Sequence, residues 1–466
     1  MAKIYIETFG CQMNEADSRY IAGRARSAGY EVVSQPETAS VVVINTCTVR
    51  DNAERRAYGR MAHFKALKAA DPSLRLVVCG CLAEQDRDRM QTIAPHVDAI
   101  FGTSELVRLG DALEGWRPQF PADLDTEALL LHGPLGGRAD CIEDGFSHLR
   151  AFVTVQRGCS YYCSFCIVPY VRGRFDHRPL AEILAETKSA LAAGAREIML
   201  VGQTVNAYRE PASGADFGDL CRAVAVLDGL ERLTFISPHP KDFTEKIVRD
   251  LSAIPQLNPR LHLPLQSASD PILRRMNRKY TLAQYDEKVA LVRRYLPEWA
   301  ITTDLIVGFP GETEDDFRAT LDYCAGAGFA QAFMFIYSQR RGTPAALWEQ
   351  IPPAVAGARF SRLTAVQDAA CRRYHDRKVG KVVRALVQGP SRKDPRKLAG
   401  KTPDNVTVIA PLVDGLGDPA QPWVDVHVDA AFTWGVVGTA VGVAARFDAP
   451  ARPLAERPVI DLVATV

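Results

Sequence analysis

The sequence has no apolar run near the length of a membrane span, and no basic segment followed by an apolar stretch near its start. A membrane-spanning or exported protein is therefore not expected. Net charge is also nearly absent: 56 Lys and Arg balance 55 Asp and Glu, leaving +1. No global field pulls such a chain onto a polyanion, so any nucleic-acid contact has to come from a local cluster. The fourth ligand of a structural zinc site is missing too, since no further Cys or His follows the one C-x-x-C at such spacing. Its 11 cysteines suit a reducing cytoplasm, where thiolates serve metals rather than disulfides. The 466 residues are enough for about three domains, each with its own core.

The cysteines carry the most information. Cys159, Cys163 and Cys166 lie in GCSYYCSFC, directly after the apolar run Ala151–Val155. Three thiolates can hold three irons of a cubane cluster and leave the fourth iron open to a small molecule. An electron carrier would close all four corners, and the bacterial ferredoxin spacing differs. The nearest His, His177, is eleven positions past Cys166, outside zinc-site spacing.

Cys11, Cys47 and Cys81 each end an apolar run, in KIYIETFGC, ASVVVINTC and LRLVVCGC. These runs alternate with helix-length segments, Ser18–Gly29 and Ala53–Ala70, which predicts a parallel sheet of βαβ units. Ligands of such sheets collect outside the carboxyl ends of the strands, where three thiols distant in sequence can meet. That predicts a second iron–sulfur site. Cys79, Cys141, Cys221, Cys324 and Cys371 follow no such pattern and read as structural thiols.

The first domain is expected to close with a fourth strand, Val97–Phe101, and a helix near Ser104–Leu113. A Pro/Gly/Asp-rich stretch then reads as a linker. The middle segment alternates strands and helices six times. Strands are expected at Phe152–Gln156, Glu197–Val201, Arg232–Ile236, Arg260–Pro264, Ile301–Val307 and Gln331–Tyr337, with helices such as Leu180–Ala193 and Leu282–Arg294 between. Six units are fewer than the eight of a closed barrel. The last segment has short β-rich runs, Val382–Val387, Val406–Pro411, Val424–Val428 and Val436–Arg446, which suit a small barrel.

The Cys159 loop resembles the signature of the radical S-adenosylmethionine (SAM) superfamily. The whole chain resembles the radical-SAM methylthiotransferases. GCQMN (Gly10–Asn14), NTCTVR (Asn45–Arg50) and CGCLAEQ (Cys79–Gln85) match the family's auxiliary-cluster domain. FCIVPYVRGR (Phe165–Arg174), VGQTVNAY (Val201–Tyr208), LHLPLQSASD (Leu261–Asp270) and TDLIVGFPGET (Thr303–Thr313) match its radical domain. GCQMN and CIVPYVRG point to the branch acting on tRNA adenosine 37 bearing an isopentenyl group. The chain departs from the family at Phe175-Asp176-His177-Arg178-Pro179, where a serine is usual, and at Gly400-Lys401-Thr402.

The resemblance implies an α/β fold in three parts: an N-terminal parallel-sheet domain (1–118), a partial (β/α)6 TIM-like barrel (145–375) after a linker (119–144), and a small TRAM β-barrel (376–447) before a tail (448–466). It implies two [4Fe-4S] clusters, on Cys11, Cys47 and Cys81 and on Cys159, Cys163 and Cys166, and two SAM molecules per turnover. An adenine C2–H bond resists polar acid–base groups, so a carbon radical is needed. Phe165 would border the SAM adenine, and Gln203, Asn206, Ser237, Gln266 and Asp304, at strand ends, are candidates for SAM's polar groups. Expected partners are a tRNA anticodon stem-loop and an electron donor such as flavodoxin or ferredoxin, while the sulfur source is open. Phosphate contacts dominate non-specific RNA affinity, and candidates are Arg172, Arg174, Arg392, Lys393, Lys397 and Lys401. Tyr170, Tyr208 and Phe309 are possible stacking platforms. The alternatives are a threonylcarbamoyl-adenosine tRNA or ribosomal-protein target, or a non-catalytic iron–sulfur protein that binds RNA or shuttles electrons.

Overall fold

The computed structural model describes residues 2–48, 51–116, 149–391, 393–412 and 423–444. The expected linker, the C-terminal tail, Cys141 and Arg392 lie outside these residues.

The first sheet contains β1 (Ala2–Thr8), β2 (Tyr30–Val33), β3 (Val41–Thr46), β4 (Arg75–Gly80) and β5 (Ala99–Phe101), all parallel, in the order β2-β1-β3-β4-β5. Alternate side chains supply two cores. Val41, Val43 and Val77 pack with Tyr20, Ile21 and Leu109 on one face, while Val42, Ile44, Leu76 and Val78 pack with Met61, Phe64 and Met90 on the other. Burial on both faces explains why the strands read as unbroken apolar runs. The sheet has five strands where four were expected. Tyr30–Val33 is the extra one, a short edge strand whose Glu31 breaks the apolar pattern.

The second domain contributes β6 (Arg150–Thr154), a short antiparallel ribbon of β7 (Gln156–Arg157) and β8 (Asp176–His177), β9 (Glu197–Val201), β10 (Arg232–Phe235), β11 (Arg260–His262), β12 (Ala300–Val307) and β13 (Gln331–Ile336). Six of these strands form two parallel three-stranded sheets, β6-β9-β10 and β11-β12-β13. A bridge between Leu233 and Leu257 joins them across β10 and the approach to β11. One core fills the space between strands and outer helices, from Val153 and Ile198 through Leu233 and Leu261 to Leu305 and Phe317. No pairing between β6 and β13 is found among the described residues, so the arc is open between its edge strands.

A helix over Pro353–Asp376 leads to a closed barrel of β14 (Val382–Pro390), β15 (Lys397–Lys401), β16 (Thr407–Pro411), β17 (Trp423–Phe432) and β18 (Gly435–Ala444), ordered β14-β15-β16-β18-β17. It docks at the amino ends of the larger barrel's strands. Trp423 Nε1 donates to Glu231, just before β10, at 3.0 Å, and Trp423 packs with Leu149 and Leu386. Strand β15 was not expected, because its Lys and Gly content masks the inward Leu398.

Candidate functional site

The first thiol set is assembled by three neighbouring strands. β1, β3 and β4 lie side by side, and Cys11, Cys47 and Cys81 follow their carboxyl ends. Cys11 is the N-cap of the helix Gln12–Ser27, and Cys81 opens the helix Cys81–Gln85. Two glycines permit the approach. Gly10 has φ +126°, and a methyl group on it would fall 2.5 Å from Cys47 Cβ and 2.9 Å from its sulfur. Gly80 has φ +97°, and a methyl there would meet the Thr46 carbonyl at 2.5 Å. Both need the left-handed region and the missing Cβ.

Behind the thiols, two asparagines tie the strand ends together. Asn14 Nδ2 donates to Asn45 Oδ1 at 3.0 Å and to the Thr46 carbonyl at 2.9 Å, and Asn45 Nδ2 donates to the Asn14 carbonyl at 2.8 Å. Burial pushes the Cys81 thiol up to about 12; Arg172 opposes the rise, and the charges of Cys47 and Cys11 reinforce it. Cys79 lies instead in the core against the helix Gln12–Ser27, beside Val77 and Tyr20.

The second set sits just past β6. Gly158, at φ +68°, packs against the Arg174 carbonyl where a Cβ would not fit. Cys159 N–H donates to the Gly173 carbonyl at 3.0 Å, closing the loop, and its sulfur lies 3.5 Å from the Thr204 hydroxyl. Arg278 Nη1 donates to the Cys163 sulfur at 3.4 Å. Burial, then the charge of Cys163, pushes the Cys166 thiol up to about 12. Asn277 fastens the loop from outside, donating to the Tyr161 and Tyr162 carbonyls at 3.3 and 2.8 Å.

The short helix Val168–Arg172, which follows the second set, packs against Cys81 of the first. Arg172 Nε donates to the Cys81 sulfur at 3.2 Å, and Arg172 Nη2 pairs with Asp17 at 2.8 Å. Cys81, Ile167 and Val171 share an apolar contact. Further contacts flank it: Arg19 over the Phe152 ring at 4.5 Å, Gln85 to the Arg341 carbonyl at 2.9 Å, Arg341 with Asp86, and Thr103 with the Val171 carbonyl.

At the strand ends beyond the Cys159 loop, unsatisfied polar atoms collect. Gln203 Oε1 and Gln266 Oε1 are buried without a hydrogen-bond partner. Tyr162, Ser237, Gln266 and Asn277 all have φ between +51° and +70°, although none is glycine. Strain of this kind persists where surrounding structure enforces it, often around a ligand. Orphaned acceptors, strained strand-end loops and a three-thiol set beside them fit a polar cofactor bound at an open cluster.

Not every candidate points there. Asn206 holds the His239 backbone at both ends of its amide, at 2.9 and 2.8 Å, and acts as a structural brace. Asp304 accepts from His262 Nε2 at 3.1 Å, the His262 ring also meeting the Thr302 hydroxyl at 3.1 Å. Ser237 is exposed. Phe165 joins Phe309 edge to face at 6.3 Å, within an apolar group that includes Ile306 and Tyr337.

Two family profiles match this chain: the radical SAM superfamily over residues 153–324, and Uncharacterized protein family UPF0004 over residues 3–102. The tRNA-2-methylthio-N(6)-dimethylallyladenosine synthase of Acidothermus cellulolyticus is 43% identical over 86% of this chain and 81% of its own length. The protein of the same name from Streptomyces coelicolor is 44% identical, covering 86% of this chain and 80% of that one. The chain belongs to this synthase family. Among solved structures, the radical SAM methyltransferase TsrM from Kitasatospora setae has a TM-score of 0.53 at 16% identity, covering 74% of this chain and 77% of that one. The cobalamin-dependent radical enzyme OxsB has a TM-score of 0.50 at 11% identity, covering 78% and 56%. These two likenesses concern the fold.

The RNA-facing candidates of this family member divide. Arg174, Lys393 and Lys397 are exposed, Lys397 lying 3.9 Å from Asp394. Arg172 is not a free phosphate ligand, because its side chain is 6% exposed and engaged with Asp17 and Cys81. Lys401 points inward to the Thr407 hydroxyl at 2.7 Å; burial and the nearby Arg260, Arg150 and Arg232 push its pKa down. Tyr208 and Phe309 are fully buried, whereas Tyr170 is exposed and stands edge to face with Tyr162 at 5.7 Å. Asp17, Asn14, Asn45 and Arg278 were missed as site residues. Asn14 and Asn45 lie inside the quoted motifs, but Arg278 carries no local signal separating it from its basic neighbours.

Among the described residues, no helix is long and apolar enough to cross a membrane.

Proposed function

We propose that this chain inserts a 2-methylthio group at C2 of N6-isopentenyladenosine 37 in tRNA, as a cytoplasmic radical-SAM methylthiotransferase. The observation that carries the reading is the pair of three-thiol sets, one at the strand ends of each of two adjoining domains, with Arg172 of the second domain donating to Cys81 of the first. Cys159, Cys163 and Cys166 would hold the [4Fe-4S] cluster that binds SAM, and Cys11, Cys47 and Cys81 the auxiliary [4Fe-4S] cluster. When bound, these groups and two SAM molecules supply the carbon radical and the methyl group that polar side chains cannot provide, and the auxiliary cluster holds the sulfur to be transferred.

The protein's own residues position and shield. Arg278 and Thr204 donate toward the sulfurs of the SAM-side loop, which hydrogen bonding stabilises as thiolates. Gln203 and Gln266 offer acceptors to the amino-acid and nucleoside portions of SAM. Position 37 is in a single-stranded loop whose bases can be splayed out and stacked, and Tyr170 with Tyr162 offers an exposed aromatic surface beside the Cys159 loop. Arg174, Lys393 and Lys397 are exposed and would meet phosphates. An electron-transfer protein such as flavodoxin or ferredoxin would deliver the reducing electron.

Nucleoside mass spectrometry of tRNA from cells lacking the gene tests the reading. The 2-methylthio derivative should vanish, its isopentenyl precursor accumulate, and both revert on complementation. Persistence of that nucleoside with loss of another methylthio product would reassign the substrate. Reduced protein with SAM should also release 5′-deoxyadenosine, which a non-catalytic RNA-binding protein would not.

A further inference from the structure

We propose that Arg172 is a positioning residue of the auxiliary site. Its guanidinium is the hydrogen-bond donor to the Cys81 sulfur that sets the reduction potential of a cluster held by Cys11, Cys47 and Cys81. The proposal rests on the two-cluster reading above.

Arg172 belongs to the domain of the other thiol set, six residues after Cys166. Its side chain crosses the domain boundary and ends against Cys81 at 3.2 Å and Asp17 at 2.8 Å. Both side chains of the ion pair are almost out of water, at 6% and 2% exposure. A guanidinium cannot release its proton in a protein, so it is a permanent cation and donor with no alternative state. Bidentate use of Nε and Nη2 fixes its plane between carboxylate and sulfur. Hydrogen bonds to cluster sulfurs and the charge around them set the potential of an iron–sulfur centre. A donor with a positive charge stabilises the more negative, reduced state and raises the potential. The Asp17 carboxylate beside it acts in the opposite sense. The two therefore form an opposed pair, and their balance is set where one domain meets the other. Burial magnifies both effects, since little water screens them.

This geometry differs from that of a mere docking contact. A docking residue only has to hold two surfaces together, and an arginine whose head pairs with Asp17 alone would do so. Here Nε is turned to the sulfur. Ile167 and Val171, on either side, supply the apolar contact with Cys81.

The test uses the full chain with Cys159, Cys163 and Cys166 all changed to Ala, so that only one cluster can form. Iron analysis comes first, and an EPR-monitored redox titration follows. The parent should hold about four irons; failure to bind iron would overturn both the cluster assignment and this proposal. With iron present, Arg172→Met should lower the midpoint potential, and Arg172→Lys, which keeps the charge, should restore part of it. Asp17→Asn should move the midpoint the other way, upward. Should Arg172→Met disturb folding or loading, Arg172→Gln, which keeps a donor without the charge, takes its place and should likewise lower the midpoint, against the upward shift of Asp17→Asn. Loaded variants with unchanged midpoints, or with Arg172→Met and Asp17→Asn shifted in the same direction, would overturn the proposal. A purely structural role for Arg172 predicts no such opposition of signs.

Discussion

At the scale of single residues, the site depends on a few positions where only one side chain works. Gly80 is one of them: its φ of +97° and the Thr46 carbonyl 2.5 Å from a would-be Cβ leave no room for a methyl group. Gly80→Ala should therefore displace Cys81 and roughly halve the iron bound by reconstituted protein. Gly59→Ala is the matched control. Gly59 lies inside the helix Asp51–Ala70 with nothing within 4 Å of an added methyl, so that change should keep full iron and stabilise by about 0.5–1 kcal/mol. Iron analysis with thermal denaturation checks both. The meeting of Cys11, Cys47 and Cys81 at the ends of adjacent strands was legible in the sequence, because each closes an apolar run of a βαβ pattern. The role of Arg172 was not legible. An arginine in a turn looks the same in sequence whether it meets phosphate in water or a buried sulfur, and only the packing of Asp17 and Cys81 around it separates the two. Asn206 and Lys401 failed as ligand candidates for a similar reason. Each has a polar partner off its own strand or turn: His239 from a distant segment for Asn206, and Thr407 across the neighbouring strand for Lys401.

At the scale of elements, apolar runs located most strands, because a parallel sheet buried on both faces leaves a continuous signal. β9 was expected at Glu197–Val201 and lies there, and β12 extends its expected range by one residue to Ala300. β2 and β15 escaped notice because edge and barrel strands carry charges on one face. The helix Pro353–Asp376 joins the two barrels, and its His375 Nδ1 donates to the Phe432 carbonyl at 2.6 Å. Burial pushes its pKa below the usual histidine value of 6.5, despite the raising effect of that carbonyl. An unfolded chain takes up this proton near 6.5, while the folded chain resists until lower pH. Between those two values the unfolded state binds more protons, so stability falls as pH drops through that window and is level above it. The Tm should accordingly decline below about pH 6.5, and His375→Gln should flatten part of that decline. Unchanged slopes for the two proteins would assign the acid loss elsewhere.

At the scale of the whole molecule, the domain of the Cys159 loop meets Cys81 of the first domain through Ile167, Val171 and Arg172. Arg19 on Phe152 and Arg341 with Asp86 hold the faces together beside the Arg172 pair. Partly exposed contacts of this kind are individually weak, so the double change Arg19→Ala with Arg341→Ala is the useful one. On the proposed function, SAM cleavage would need only the second domain, whereas transfer to RNA would need both. The double variant should therefore lose methylthio transfer several-fold while 5′-deoxyadenosine formation stays near normal. Parallel loss of the two products would mean that docking serves the cleavage step itself. The three-part layout was legible from composition shifts and strand counts. The direction in which the domains face was not, because it is written in side chains such as Arg19, Arg172 and Arg341 that look like ordinary surface arginines in the sequence.

Iron and sulfide counting on anaerobically reconstituted protein bears most directly on the claim that two separate thiol sets each carry a cluster. The intact chain should hold about eight irons and eight sulfides, and Cys47→Ala and Cys163→Ala about four each. Cys163→Ala should abolish SAM cleavage, while Cys47→Ala should retain cleavage and lose transfer. An intact chain that saturates at about four irons, or a Cys47→Ala variant that still methylthiolates tRNA, would contradict the account.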